Sequence, residues 1–159
     1  MKPSEMLNMR AEDFSLADGK GKLHKPSDYK GKWIVLYFYP RDDTPGCTKE
    51  ACSFRDNLSE LKKQGIVVLG VSADSIASHE KFAGKYKLNF PLLSDENKAA
   101  VNSYHVWQKK QFMGKEYYGI VRTTFLISPE GRIKRVYEHV KAEGHVLEIL
   151  KDLDELKNL

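Results

Sequence analysis

The two cysteines of this 159-residue chain lie five positions apart, in the stretch YPRDDTPGCTKEAC that runs from residue 39 to residue 52. Cys47 follows a Pro-Gly step, and Cys47, Ala51, Phe54, Leu58 and Leu61 then recur at helical spacing until Gly65, so the first thiol sits where a helix begins. The free amides and dipole of a helix amino terminus stabilise an anion. A thiol held there ionises more readily and becomes a nucleophile near neutral pH. Thr44 can place a hydroxyl beside the sulfur, while Pro40 and Pro45 restrict the loop leading into the helix.

Cys52 sharpens the reading. Residues five apart in a regular helix are separated by about 140° around the axis and about 7.5 Å along it, which puts their Cα atoms about 8.6 Å apart. Disulfide reach ends near about 7 Å. The two sulfurs therefore cannot bond while the helix is intact, and a disulfide between them requires its first turns to unwind. This separates the site from a CxxC dithiol, whose closer cysteines bridge without losing the helix. A thiolate oxidised to sulfenic acid by a small oxidant, then attacked by the second thiol after local unfolding, fits the longer spacing. Against it stands the blander alternative of two small buried hydrophobes, since free cysteine is often core.

These residues need a frame. WIVLYFY (33 to 39) and IVVLGVSA (66 to 73) are continuous β-branched and aromatic runs of strand length, the pattern of strands buried on both faces. With the helix between them they form a unit whose strands run parallel. Further helices are expected over 75 to 87 and 95 to 104. RTTFLIS (122 to 128), the turn Ser128-Pro129-Glu130-Gly131 and RIKRVYEHV (132 to 140) read as a hairpin. Val146, Ile149, Leu150, Leu153 and Leu156 give a terminal helix with one apolar face, and the opening 30 residues read as a turn-rich strap or short hairpin. The expected class is α/β, a thioredoxin-like fold with a mixed central sheet and helices on both faces. Without repeats or linkers, residues 1–159 read as one domain. The Cys47 loop then lies beyond the carboxyl end of the first core strand, where open α/β sheets place their sites.

Composition excludes several classes of function. The net charge of +4 comes from 26 basic and 22 acidic residues that are interspersed, and the one local excess, QKKQFMGK at 108 to 115, is too short for a nucleic-acid face. It reads as a solvated loop. The flanking Trp107, Phe112, Tyr117 and Tyr118 read as ordinary packing. No apolar run approaches the roughly 20 residues of a membrane span, and MKPSEMLNMRAEDFSL has no signal-peptide pattern. A cytoplasmic setting is expected, in which paired cysteines are transient and catalytic rather than structural. The five histidines show no metal-ligand spacing and read as surface or core residues.

PRDDTPGC (40 to 47) matches the PxxxTxxC motif of peroxiredoxins, and CTKEACSFRD resembles the peroxiredoxin Q or bacterioferritin comigratory protein subgroup. GVSADS (70 to 75), FPLLSDE (90 to 96) and GIVRTTFLISPEGRI (119 to 133) resemble the same subgroup in the same order. The resemblance implies a thiol peroxidase acting on hydrogen peroxide and organic hydroperoxides. Cys47 would be the peroxidatic cysteine, Thr44 would hold the peroxide, and Pro40 would shield the sulfenic acid from water. Arg122 would stabilise thiolate and transition state. Cys52 would be the resolving cysteine, and thioredoxin would reduce the Cys47–Cys52 disulfide, with no metal, haem or flavin. Glu50 is then either a solvated helix charge or a partner of Arg122. No cysteine follows Cys52, so a resolving thiol near the carboxyl terminus is missing and a monomer is expected. The thiols alone also allow a dithiol-disulfide oxidoreductase or a redox-sensing binding domain without enzymatic turnover.

Overall fold

In the computed structural model, which describes residues 1–159, the opening strap contains two short antiparallel strands, β1 (Leu16–Asp18) and β2 (Leu23–His24). The first long apolar run forms β3 (Trp33–Phe38), and the helical periodicity that follows becomes α1 (Pro45–Lys63). Then come β4 (Ile66–Ser72), α2 (Ile76–Tyr86), β5 (Leu92–Ser94) and the short α3 (Ala99–Ser103). Strands β6 (Trp107–Phe112) and β7 (Lys115–Ile120) pair with each other, β8 (Thr123–Ile127) and β9 (Ile133–Tyr137) form the expected hairpin, and α4 (His145–Lys157) closes the chain.

Seven strands make one sheet in the order β2-β1-β5-β4-β3-β8-β9. β3, β4 and β5 run parallel, while β8 joins β3 antiparallel and carries β9 at its far side. The mixed sheet expected from the order of elements is therefore present. Its two faces build two cores. Val35 and Tyr37 of β3 look toward α1, α2 and α4, where Phe54, Leu58, Phe82, Ile149 and Leu153 are buried. Ile34, Leu36 and Phe38 look the other way, toward Val101 of α3, Tyr104 and Phe125. Alternation along a strand buried on both sides accounts for the uninterrupted apolar run.

Two expectations require correction. The basic stretch 108 to 115 is not a solvated loop but part of the β6–β7 hairpin, closed by Met113 and Gly114 with φ of 51° and 79°. Positive φ at both central residues is the twist-matched turn for adjacent strands. These strands are held by pairing rather than burial, so their sequence lacks the apolar pattern that reveals a strand. For the same reason Phe112, Tyr117 and Tyr118 are exposed rather than packed. Trp107 does rest against the second core. β5 also escaped a sequence reading, because three residues after Pro91 show no periodicity.

Gly70 of β4 lies between Tyr37 and Leu92 in the register. A Cβ there would meet Tyr37 Cζ and Leu92 Cδ2 at 2.9 Å each. Gly70→Ala is expected to destabilise the protein by about 1–3 kcal/mol through overpacking. A lower urea midpoint at unchanged m-value would show it.

Candidate active site

Thr44 occupies the cap position of α1 with extended backbone, Pro45 fills the first helical position, and Cys47 is the third residue of the helix. Proline fits there because its missing N–H would have no helical partner. The Thr48 N–H bonds the Thr44 carbonyl at 2.8 Å, so the Gly46 and Cys47 amides ahead of it point out of the helix end. Cys47 is 2% exposed and belongs to the core cluster that includes Ala51 and Phe54. Its apolar packing follows from the same stripe that marks the helix in the sequence.

Arg122 reaches Cys47 from the link between β7 and β8. Its Nη2 donates to Cys47 Sγ at 3.3 Å and its Nη1 donates to Glu50 Oε1 at 2.6 Å. One guanidinium thus holds both groups, in the forked geometry that suits arginine. Burial works against its charge, but Glu50 and Cys47 outweigh that and hold Arg122 above the usual guanidinium value. Gly46 permits the approach, since a Cβ there would stand 3.1 Å from Arg122 Nη2.

Of the two readings of Glu50, the partner of Arg122 is the one observed. Its side chain is 1% exposed, and burial raises its pKa to about 7 against the opposing pull of Arg122. The Thr44 hydroxyl donates to the Arg41 carbonyl at 2.9 Å and makes no capping bond. Pro40 is half-buried, two residues after the end of β3. Cys52 is a half-buried free thiol on the same unbroken helix as Cys47, so the spacing of about 8.6 Å for a regular helix applies. The structure therefore brings together Cys47, Arg122 and Glu50, sets Thr44 and Pro40 in the loop before them, and keeps Cys52 apart.

What anchors that loop is not visible in the sequence. Asp42, 8% exposed, accepts from Tyr39 Oη at 2.6 Å and Ser78 Oγ at 2.8 Å, and lies 2.7 Å from His79 Nδ1. His79 Nε2 donates to the Leu93 carbonyl at 3.0 Å. The Asp42 N–H donates to Asp74 Oδ2 at 2.9 Å, which also accepts from Ser72 Oγ at 2.6 Å. Asp42, Asp74 and His79 come close enough to suggest a cation site, but their ligand atoms are already engaged with one another and with protein donors. Asp43, at φ of 55°, binds Lys85 Nζ at 2.8 Å and Tyr86 Oη at 2.7 Å. The loop is pinned to α2 on one side while α1 begins on the other. Of the histidines, His24, His79 and His145 are buried and His139 is exposed, in keeping with structural roles.

Residues 7–136 match the model of the AhpC/TSA family. The chain belongs to the AhpC/TSA family, as a peroxiredoxin. It is 50% identical over 144 residues to the putative peroxiredoxin bcp of Coxiella burnetii, covering 91% of this chain and 95% of that one. It is 46% identical over 150 residues to peroxiredoxin Bcp of Bacillus subtilis, covering 94% and 96%. A solved structure of the bacterioferritin comigratory protein of Xanthomonas campestris, concerned with its alkyl peroxide reduction activity, superposes with a TM-score of 0.85. It shares 39% identity and covers 89% of this chain and 90% of that one. Peroxiredoxins are peroxidase oxidoreductases, and this one is a thiol peroxidase on a thioredoxin-like fold.

Proposed function

We propose that this peroxiredoxin reduces hydrogen peroxide and small organic hydroperoxides through a Cys47 sulfenic acid and an intramolecular Cys47–Cys52 disulfide. The observation that carries the reading is the Arg122 guanidinium 3.3 Å from Cys47 Sγ at the start of α1. The Cys47 thiolate attacks the terminal peroxide oxygen, the O–O bond breaks, and hydroxide or alkoxide leaves and takes a proton from water. Negative charge spreads from sulfur over two oxygens, and a fixed cation with adjacent helix amides stabilises that spread most in the transition state. The Thr44 hydroxyl, next to the same helix end, holds the peroxide once it turns from the Arg41 carbonyl. Pro40 limits water around the sulfenic acid.

Resolution needs the first turns of α1 to open. The Cys52 thiolate then attacks the sulfenic sulfur, the S–S bond forms, and hydroxide leaves. Thioredoxin, acting in a cytoplasmic setting, supplies two electrons and two protons and returns both thiols. Because resolution takes place within one chain, catalysis needs no second subunit, and the working form is a monomer of one domain. No helix is long and apolar enough to cross a membrane.

Cys52→Ser tests the second half of the scheme. One equivalent of hydrogen peroxide should add one oxygen to the variant within seconds, as read by rapid quench and intact mass. The parent protein should lose two hydrogens instead and yield a linked Cys47–Cys52 peptide. A disulfide-linked dimer in the parent, with no internal link, would remove the intramolecular step.

A further inference from the structure

The mechanism above makes no use of the ionisable carboxyl of Glu50. Glu50 Oε1 meets Arg122 Nη1 at 2.6 Å, while the neighbouring Nη2 of the same guanidinium meets Cys47 Sγ at 3.3 Å. Two potential anions thus lean on one cation, in a place where Glu50 is 1% and Cys47 2% exposed. Water screens little there, so the site tolerates one negative charge beside Arg122 far better than two. Glu50 Oε2 is buried and has no hydrogen-bond partner. A buried carboxylate oxygen left bare is costly, and protonation of the group relieves that cost.

The nearby Tyr37 hydroxyl is also buried without a partner. Its own ionisation is strongly opposed, first by burial and then by Glu50 and Cys47, so it contributes no competing charge. The other charged groups facing this cluster act less directly. Lys110 of β6 senses Arg122 and Cys47, His145 of α4 senses Arg122, and the buried Tyr37 hydroxyl senses Asp42.

Building on the peroxidase reading, we propose that Glu50 and Cys47 share one negative charge across Arg122, Glu50 taking up a proton as Cys47 gives one up. The Cys47 S–H bond breaks with its electron pair left on sulfur, and an O–H bond forms on the Glu50 carboxyl, with solvent water carrying the proton. The three groups sum to zero charge before and after. Activation of the thiol then exposes no new net charge to the core. Glu50 is a positioning residue that decides how much of Arg122 is available to the sulfur. Its value of about 7 sets the direction: below that pH the carboxyl is neutral and Arg122 serves the thiolate, whereas above it the carboxylate competes.

Two titrations decide the matter, both on folded full-length protein. In a Cys52→Ser background, the ultraviolet absorbance of the Cys47 thiolate is followed against pH with and without Glu50→Gln. A shared charge makes the curve two-stepped, as for any strongly coupled pair, and Glu50→Gln should reduce it to one step with thiolate persisting to lower pH. Separately, the Glu50 carboxyl carbon is followed by NMR with and without Cys47→Ser. Removing the thiol should lower the Glu50 midpoint by about one pH unit or more, a tenfold change by reciprocity. Curves unaltered by both substitutions would overturn the proposal, as would a one-step thiolate curve in the parent. Hydrogen peroxide added to the same Cys52→Ser protein keeps the two readings apart. Sulfenic acid formation with unaltered titrations sinks only the charge sharing, whereas its absence sinks the peroxidase scheme.

Discussion

Replacing Cys47 by serine is expected to abolish consumption of hydrogen peroxide while leaving the fold intact. The hydroxyl is smaller than the thiol and fits the same buried position, 2% exposed beside Ala51 and Phe54, so packing changes little. Chemistry changes completely, because a serine hydroxyl is neither ionised near neutral pH nor readily oxidised, and nothing else near Arg122 offers a nucleophile. Cys52 cannot substitute, since it stands more than a full helical turn away on α1. Peroxide loss is followed with thioredoxin and its reductase present, alongside far-ultraviolet circular dichroism. Retained turnover in a folded Cys47→Ser protein would show that the nucleophile lies elsewhere.

Arg122→Met should slow the oxidation of Cys47 by about 10²–10³-fold, the usual loss when one preorganised donor to a developing charge is removed, or about 2.7–4 kcal/mol. Methionine fills much of the volume but offers neither the donor at 3.3 Å to Cys47 Sγ nor the one at 2.6 Å to Glu50. Glu50 is then left buried without a counter-charge and takes a proton. Arg122→Lys separates charge from geometry. An ammonium restores a cation but cannot reach sulfur and carboxylate together as a fork does, so only part of the rate should return. Stopped-flow oxidation by hydrogen peroxide at several concentrations gives the rate constant. A rate for Arg122→Met equal to that of the parent would remove Arg122 from the mechanism.

How far the sequence reveals this molecule depends on what each segment is held by. β3 and β4 are legible because burial on both faces requires an unbroken apolar run, and α1 because its buried stripe recurs at helical spacing. The β6–β7 hairpin is hidden because its backbone pairing places no demand on side chains, most of which face solvent. At the site, Cys47 and Arg122 are marked by matched segments far apart in the chain. Glu50 leaves the question open, since a carboxylate on a helix is usually solvated, and only the fold shows it covered. The clamp of Asp42, Asp74 and His79 is invisible in one dimension. Its members belong to two loops and a helix, and Asp42 lies 32 residues ahead of Asp74.

The two-layered core carries a consequence for recovery after each turnover. In the proposed scheme, opening of the first turns of α1 disturbs the layer containing Cys47, Ala51 and Phe54. The layer on the opposite side of the sheet, built from Ile34, Leu36, Phe38, Tyr104 and Phe125, shares no side chain with it. The sheet is thus retained as a template, with Arg122 fixed just ahead of β8. When the proposed disulfide is reduced, the freed segment has only to rewind a few residues onto a surface already in place, an event on the timescale of helix formation rather than of folding. The proposed catalytic cycle writes and erases one short helix segment against a memory held by the rest of the molecule.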